Sequence, residues 1–264
     1  MPAASSAEPV TTPSDPPPDD RPVFDVPVAQ RLSMVVLGFI PILHAGSVLA
    51  ALALPLTGVI PGAFLWSPPV LLYLAPPIVC RLVGLWIPVP DGTFETSSRE
   101  FLHWWFHAQW QVVFNRFPAL EEILRMVPGL YSQWLRLWGS EVGTLVYWSS
   151  GVTLLDRSCL NVGDRVIFGA GVVLSPHNLS PDAARRIKLL IAPIRIGSDT
   201  MIGGAAVLTP GFQVAAEELV PAFYRAMPFS RWRDGRRRRD GGADWATAAA
   251  LMSARSEPPA DPES

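Results

Sequence analysis

Between Leu32 and Cys80 the chain contains no Asp, Glu, Lys or Arg. That absence excludes an ordinary solvated surface, and the stretch is long enough for two membrane crossings. Charge is scarce elsewhere too: 17% of the 264 residues are charged against 49% hydrophobic, with a mean hydropathy of +0.27. The net charge of -2 gives no argument for a nucleic-acid partner, and none is expected. Only two cysteines are present, Cys80 in the apolar region and Cys159 inside the later repeat, and they do not suggest a disulfide framework. Each reads as a small buried hydrophobe rather than a nucleophile. The N-terminus lacks the basic start and early apolar core of a secretory signal.

Residues 1–30 are rich in Pro, Ser, Ala and Asp, too poor in apolar surface to offset ordering, and are expected to be disordered. Residues 31–90 are expected to form a membrane helical hairpin, with Leu32–Leu56 as the first span and a second near 70–87. Arg31 precedes the first span and Arg81 lies near the end of the second, which would place both ends in the cytoplasm, and Pro41, Pro76 and Pro77 are expected to kink the helices. In residues 91–138, the run Ser97-Ser98-Arg99-Glu100 is a capping box opening a helix that carries Trp104, Trp105 and Trp110. Tryptophan suits a membrane–water boundary, so this helix is expected to be interfacial and amphipathic, lying against the bilayer or the hairpin, and Trp134 and Trp138 of the later one are further interfacial candidates. His103 and His107 stand four residues apart, but no third ligand is spaced to join them in a metal site; a polar helix face is expected. Residues 233–264, including Arg236–Arg239, read as a disordered tail able to meet anionic head groups if it lies beside a membrane.

The regular part begins at Val142. An apolar residue recurs at every sixth position, usually with a small residue after it: Val142-Gly143, Trp148-Ser149, Leu154-Leu155, Leu160-Asn161. After a two-residue slip come Val162-Gly163, Phe168-Gly169 and Leu174-Ser175; after an interruption, Ile196-Gly197, Ile202-Gly203, Leu208-Thr209 and Val214-Ala215. This is the signature of a hexapeptide parallel β-helix, in which each step makes one face and one corner of a prism. The aliphatic residue fills the prism, only small or polar residues fit the tight corner beside it, and glycine also tolerates a positive φ there. The run resembles the hexapeptide-repeat, left-handed β-helix acyltransferases, the group that contains the serine, galactoside and xenobiotic acetyltransferases. Ser149, Leu155, Asn161 and Ser175 depart from glycine at the corners. The expected fold class is therefore mainly β: a left-handed parallel β-helix over 139–232, with a loop at 178–193, preceded by the helical membrane region.

The resemblance implies an enzyme and its site. His177, where a repeat step gives way to the loop, would be the general base that removes a proton from an acceptor hydroxyl or amine as it attacks an acyl thioester; a neutral imidazole suits that task. Glu141 and Asp156 are both candidates to orient it. Gly203, Gly204 and Ala205 match small-residue steps that let a pantetheine arm approach. Arg185, Arg186 and Lys188 would meet the phosphates of coenzyme A or the acidic face of an acyl carrier protein. Asn178 and Tyr147 are candidate acceptor contacts, whereas Trp148 holds an inward repeat position. The implied co-substrate is acyl-CoA or an acyl carrier protein thioester, no metal is expected, and the implied assembly is a homotrimer. Membrane attachment suggests a lipid or lipid-linked acceptor, with the catalytic domain on the cytoplasmic side of the inner membrane. A γ-carbonic-anhydrase-like hydratase would use the same coil but needs several zinc-binding histidines, and this coil has one. The spacing His177-x4-Asp182, which glycerolipid acyltransferases share, is read as coincidence. The non-enzymatic alternative is a membrane-attached trimeric scaffold.

Overall fold

The computed structural model describes residues 24–182 and 184–239. Helix α1 (Val28–Leu37) leads into α2 (Ile40–Leu56), and together they make one apolar run, Val28–Leu56, with only 6% of its most apolar window buried. A 3-10 turn (Gly62–Trp66) and α3 (Ser67–Tyr73) meet α4 (Ala75–Trp86) at a bend of 49°. By length and composition one helix can cross a membrane, or two if the bent pair is one span. Pro76 and Pro77 stand directly after that bend, where the expected kink falls, and Pro41 follows the break between α1 and α2. They occupy first turns of α2 and α4, where a missing N–H costs no helical bond. The expected disorder of 1–30 does not extend through 24–30: Val26 is buried and Gln30 Nε2 donates to Thr96 O at 2.7 Å.

Of the bilayer and the hairpin, the next three helices pack on the hairpin, and they are buried on further sides as well. Helix α5 (Arg99–Arg116) is capped by Ser98, whose Oγ accepts from Phe101 N at 3.1 Å; this start, one residue later than the sequence suggested, leaves Glu100 out of a reciprocal box. Buried residues occur all round α5, from Phe101 and Trp104 to Gln109 and Gln111, because α1 and α2 pack on one side of it and strand β1 (Gly92–Glu95) and the rest of the protein on others. Helices α6 (Ala119–Arg125) and α7 (Leu130–Trp138) complete the layer, and Trp134 and Trp138 are both buried. Some of the indole N–H groups that a boundary would hydrate are satisfied inside instead: Trp134 Nε1 donates to Tyr73 O at 2.7 Å and Trp105 Nε1 to Met34 O at 3.2 Å, while those of Trp110 and Trp138 are buried without an acceptor among the described residues.

From Glu141 the chain winds into a coil with three faces of parallel strands. One face stacks β2 (Glu141–Val142), β5 (Leu160–Val162), β10 (Ile194–Ile196), β13 (Gln213–Val214) and β15 (Ser230–Arg233). The second stacks β3 (Tyr147–Trp148), β6 (Ile167–Phe168), β11 (Met201–Ile202) and β14 (Leu219–Val220), and the third β4 (Thr153–Leu154), β7 (Val173–Leu174) and β12 (Val207–Leu208). The sixth-position residues point inward as their spacing predicts: Leu154, Leu174 and Leu208 form one buried column, and Trp148 stacks on Phe168 with ring centroids 4.4 Å apart. With seven helices among the described residues, the chain is mixed helix and strand rather than mainly β.

At the corners the expected tight fit holds, and the expected positive φ does not fall on the repeat glycines. Gly143, Gly163, Gly197 and Gly203 do not have positive φ; a Cβ on Gly203 would stand 2.3 Å from Ala222 N of the next coil. Close stacking demands glycine there, and the left-handed conformation falls two residues later, on Leu145, Arg165, Asp199 and Glu217 in one corner column. Two irregularities interrupt the winding. The corner from Leu155 to Cys159 is two residues longer than a regular step. After Leu174 the chain leaves the coil as an antiparallel hairpin, β8 (His177–Pro181) and β9 (Ile187–Ile191), with β9 also pairing with β1. Beyond Val220 the coil continues to β15, and β16 (Arg236–Arg239) pairs antiparallel with it, so the arginine run is a strand and not a free tail. Residues from 240 onward lie outside the described residues.

Candidate active site

Both irregularities meet at one point. The lengthened corner carries Asp156, and the excursion begins with His177. His177 Nδ1 donates to Asp156 Oδ2, and Trp104 Nε1, from α5, donates to the other oxygen, Oδ1, at 3.1 Å. The Trp104 and His177 ring centroids are 4.8 Å apart. The Asp156 side chain is 3% exposed and that of His177 22%. The carboxylate is therefore sealed in while the imidazole keeps one edge open, and with Nδ1 engaged, Nε2 is the nitrogen available to a reacting group.

Burial alone would push the His177 imidazole down, because it penalises the charged form, but the Asp156 charge and hydrogen bond outweigh it and hold the group above its ordinary range. The other pair on α5 behaves oppositely. His103 and His107 face each other through their Nε2 atoms at 3.1 Å, and burial, then the neighbouring His103, pushes His107 down to about 4 despite the nearby Asp156. They are an interior pair, not the polar face expected from their spacing, and among the described residues no group of three His, Cys, Asp or Glu could hold a metal ion.

The corner is clamped from both sides. Ser140 Oγ donates to Arg157 O at 2.7 Å and accepts from Leu160 N at 3.0 Å. From α5, Gln111 Oε1 accepts from Arg157 N at 2.7 Å and from Arg157 Nη1 at 3.1 Å. The fully buried Arg157 guanidinium also donates to Asn115 Oδ1 at 2.9 Å and to Glu121 Oε1 through Nε (2.9 Å) and Nη2. The second Glu121 oxygen accepts from Tyr131 OH at 2.5 Å and Arg125 Nη2 at 3.0 Å.

Of the two orienting candidates, Asp156 meets His177, while Glu141 accepts from Asn161 Nδ2 at 2.6 Å on another strand. The other expected site residues do not gather round this pair within one chain. Asn178 follows His177 on β8, so its side chain faces the opposite side of the hairpin and donates to Ser180 Oγ at 3.0 Å. Tyr147 is exposed on the second face of the coil, lining a cavity of about 570 Å³ with Trp148, Ser132 and Arg136. Gly203, Gly204 and Ala205 turn the corner between the second and third faces, away from the corner His177 leaves. Lys188 pairs with Glu95 at 2.8 Å and Asp182 at 3.4 Å, and Arg186 with Asp182 at 3.1 Å, while Arg185 occupies the hairpin turn at φ 61°. Gln111, Arg157 and Glu121 escaped the sequence reading, which took Trp104 for a boundary residue; the two-residue slip before Val162 was the signal that the corner ahead of it was special.

The chain is similar to hexapeptide-repeat acetyltransferases of known structure. One, from Vibrio cholerae, shares 18% identity over 48% of this chain and 92% of its own, with a TM-score of 0.30; in complex with acetyl coenzyme A it aligns at 16% identity, over 50% and 89%, at 0.33. A maltose O-acetyltransferase from Clostridium difficile aligns at 14% over 48% and 84% (TM-score 0.31). A galactoside acetyltransferase in complex with coenzyme A aligns at 14% over 48% and 79% (0.30). No protein-family model and no curated protein sequence matches the chain.

Proposed function

We propose that the protein is a membrane-attached acyltransferase with a left-handed hexapeptide coil, moving an acyl group from a thioester to a hydroxyl or amine of a membrane-associated acceptor. The observation that carries this reading is the His177–Asp156 pair, placed where the coil departs from its repeat and open only at the imidazole edge. His177 Nε2 takes the proton of the acceptor as its oxygen or nitrogen bonds to the thioester carbonyl carbon. Collapse of the tetrahedral adduct breaks the carbon–sulfur bond, and the imidazolium returns the proton to the leaving thiolate. Asp156 stabilises the imidazolium formed between these steps and fixes the tautomer that leaves Nε2 free to accept. No covalent enzyme intermediate is required when donor and acceptor are held together.

The donor is coenzyme A or a carrier protein thioester. Within one chain Gly203–Ala205 and His177 occupy different corners, which supports a site completed by a second copy, as in a trimer. Arg186 and Lys188 already face Asp182 and Glu95, so donor phosphates would have to compete with these carboxylates. The exposed apolar run Val28–Leu56 and the bent pair after it support a bilayer anchor, with a lipid or lipid-linked acceptor and a cytoplasmic catalytic domain.

The test compares lipid and metabolite extracts by mass spectrometry from cells expressing matched amounts of wild type or His177→Ala. The expected result is a species one acyl mass heavier, present with wild type and reduced by about 10²–10⁴-fold in rate with the variant. Identical extracts from two abundant, folded proteins would favour the scaffold instead. The rate should rise with pH through a midpoint above that of free imidazole, because the base form is the neutral one and Asp156 favours the charged one. Asp156→Asn should lower both the midpoint and the rate.

A further inference from the structure

The geometry points to Trp104 as a positioning residue for the proposed base: its indole N–H holds the Asp156 carboxylate in the orientation that His177 needs, so the helical layer completes a dyad that the coil alone leaves unoriented. This inference rests on the reading of His177 as the base.

A carboxylate in a corner can turn about its last bond, and among the described residues of the coil itself no side chain donates to it. Ser140 fixes the backbone beyond Asp156, at Arg157 and Leu160, but does not touch the carboxylate. The two carboxylate oxygens are instead divided between two partners: Oδ2 accepts from His177 and Oδ1 from Trp104, and the bond from Trp104 bridges 52 positions of sequence. The same indole lies against the imidazole, so one side chain locates both members of the pair. Seven residues further along α5, on the same helix face, Gln111 accepts from the peptide N–H that follows Asp156. One face of one helix thus fixes the carboxylate and its backbone. That helix packs on α1 and α2, the most exposed apolar elements of the protein.

The other titratable groups near the pair leave Asp156 as the charge that faces His177. From α5, His107 is neutral at physiological pH. From the corner, the buried Cys159 thiol is pushed up and stays protonated. On the hairpin, Lys188 stands opposite Ser180, three positions beyond His177, and is engaged by Glu95 and Asp182. Removing the indole donor leaves more negative charge for Nδ1–H of His177 and so favours the imidazolium.

The experiment follows the imidazole resonances of the full-length protein in detergent micelles by NMR, with His177 assigned from His177→Gln. In Trp104→Phe, which keeps the ring and loses the donor, the His177 midpoint should rise by about half a unit to one unit, and the rate at neutral pH should fall by up to about tenfold. Trp134→Phe is the control. It removes another indole donor of the same layer, the one to Tyr73 O, and should lower stability without moving the His177 midpoint. An unmoved midpoint in Trp104→Phe, or an equal movement in Trp134→Phe, overturns the positioning role whatever the activity does. A midpoint that moves while transfer stays unchanged upholds the positioning role and removes His177 from catalysis. Should Trp104→Phe not fold, the wild-type protein answers alone: the Trp104 indole proton should titrate with the His177 midpoint, and a proton indifferent to it overturns the inference.

Discussion

The coil and the helical layer bury aromatic and aliphatic side chains alike, in one shared core, yet the layer adds buried charge where the coil does not. In the coil, each buried residue sits above its equivalent one turn earlier, and short parallel pairings repeat around three faces. Its cohesion is distributed, apolar and indifferent to which coil is considered. The helical layer shares an apolar core with it, Trp134 and Leu135 in one cluster with Leu154 and Phe168, and adds at the seam a buried ionic cluster, Arg157, Glu121 and Arg125 with Tyr131, Gln111 and Asn115. Buried charges are costly unless fully paired, and here every carboxylate oxygen of Glu121 has a donor. The repeat supplies the frame, and the polar groups that could do chemistry stand where the repeat breaks.

The sharpest way to break that contrast is Arg157→Met, which removes one charge of the cluster and leaves Glu121 inside. The expected loss is about 3–5 kcal/mol, the cost of an uncompensated buried charge, tempered by the Arg125 and Tyr131 bonds to the second oxygen. Limited proteolysis should detect the helical layer loosening before the coil. The double variant Arg157→Met, Glu121→Leu should recover part of the loss. If the single variant melts like wild type, the layer is held mainly by apolar contact and the contrast fails.

Much of the coil was legible because its period is imposed by geometry: six residues per face leave the inward position apolar at every step, from Val142 to Val214. The interruption and the position of His177 were legible for the same reason, as departures from a regular frame. The helical layer was not. The tryptophans of α5 and α7 carry the composition of a membrane boundary, and nothing local tells a lipid-facing indole from one that donates to Asp156 or Tyr73 across more than fifty residues. Asp156 and Glu141 were indistinguishable for that reason as well. The arginines failed differently, since Arg186 and Lys188 look free in sequence and only the β1–β9 pairing brings Glu95 beside them. Arg236–Arg239, with four like charges in a row, reads as a tail until Trp232 and its neighbours offer a strand to pair with.

A smaller effect tests why the coil needs its glycines. Gly203→Ala would bring a Cβ to 2.3 Å from a backbone nitrogen of the next coil, and backbone cannot step aside as a side chain tip can. The expected cost is about 1–3 kcal/mol, as for other overpacked positions. Gly171→Ala is the counterpart: φ is +68° and nothing lies within 4 Å, so only the left-handed backbone is penalised, by about 1 kcal/mol. Chemical denaturation of both variants should rank Gly203→Ala as the more damaging. The reverse order would mean that corner conformation, rather than coil stacking, selects glycine.

The smallest effect is expected where the geometry looks best. Arg165 and Asp199 form a two-pronged ion pair, Nε to Oδ1 and Nη2 to Oδ2, both at 2.6 Å, on the corner column that also carries the left-handed residues. Measured by distance alone it rivals the Arg157–Glu121 contact. Water surrounds it, however: the side chains are 55% and 40% exposed, and screening removes most of the attraction while both side chains give up freedom to hold the pose. Arg165→Ala should therefore leave Tm unchanged within error at physiological salt, with any loss confined to low ionic strength. The backbone bond from Arg165 N to Thr144 O, at 2.9 Å, survives the substitution and keeps the corner stacked. A drop comparable to that of Arg157→Met would mean that the coil, too, depends on individual ion pairs, and that burial is not what separates the two halves of the molecule.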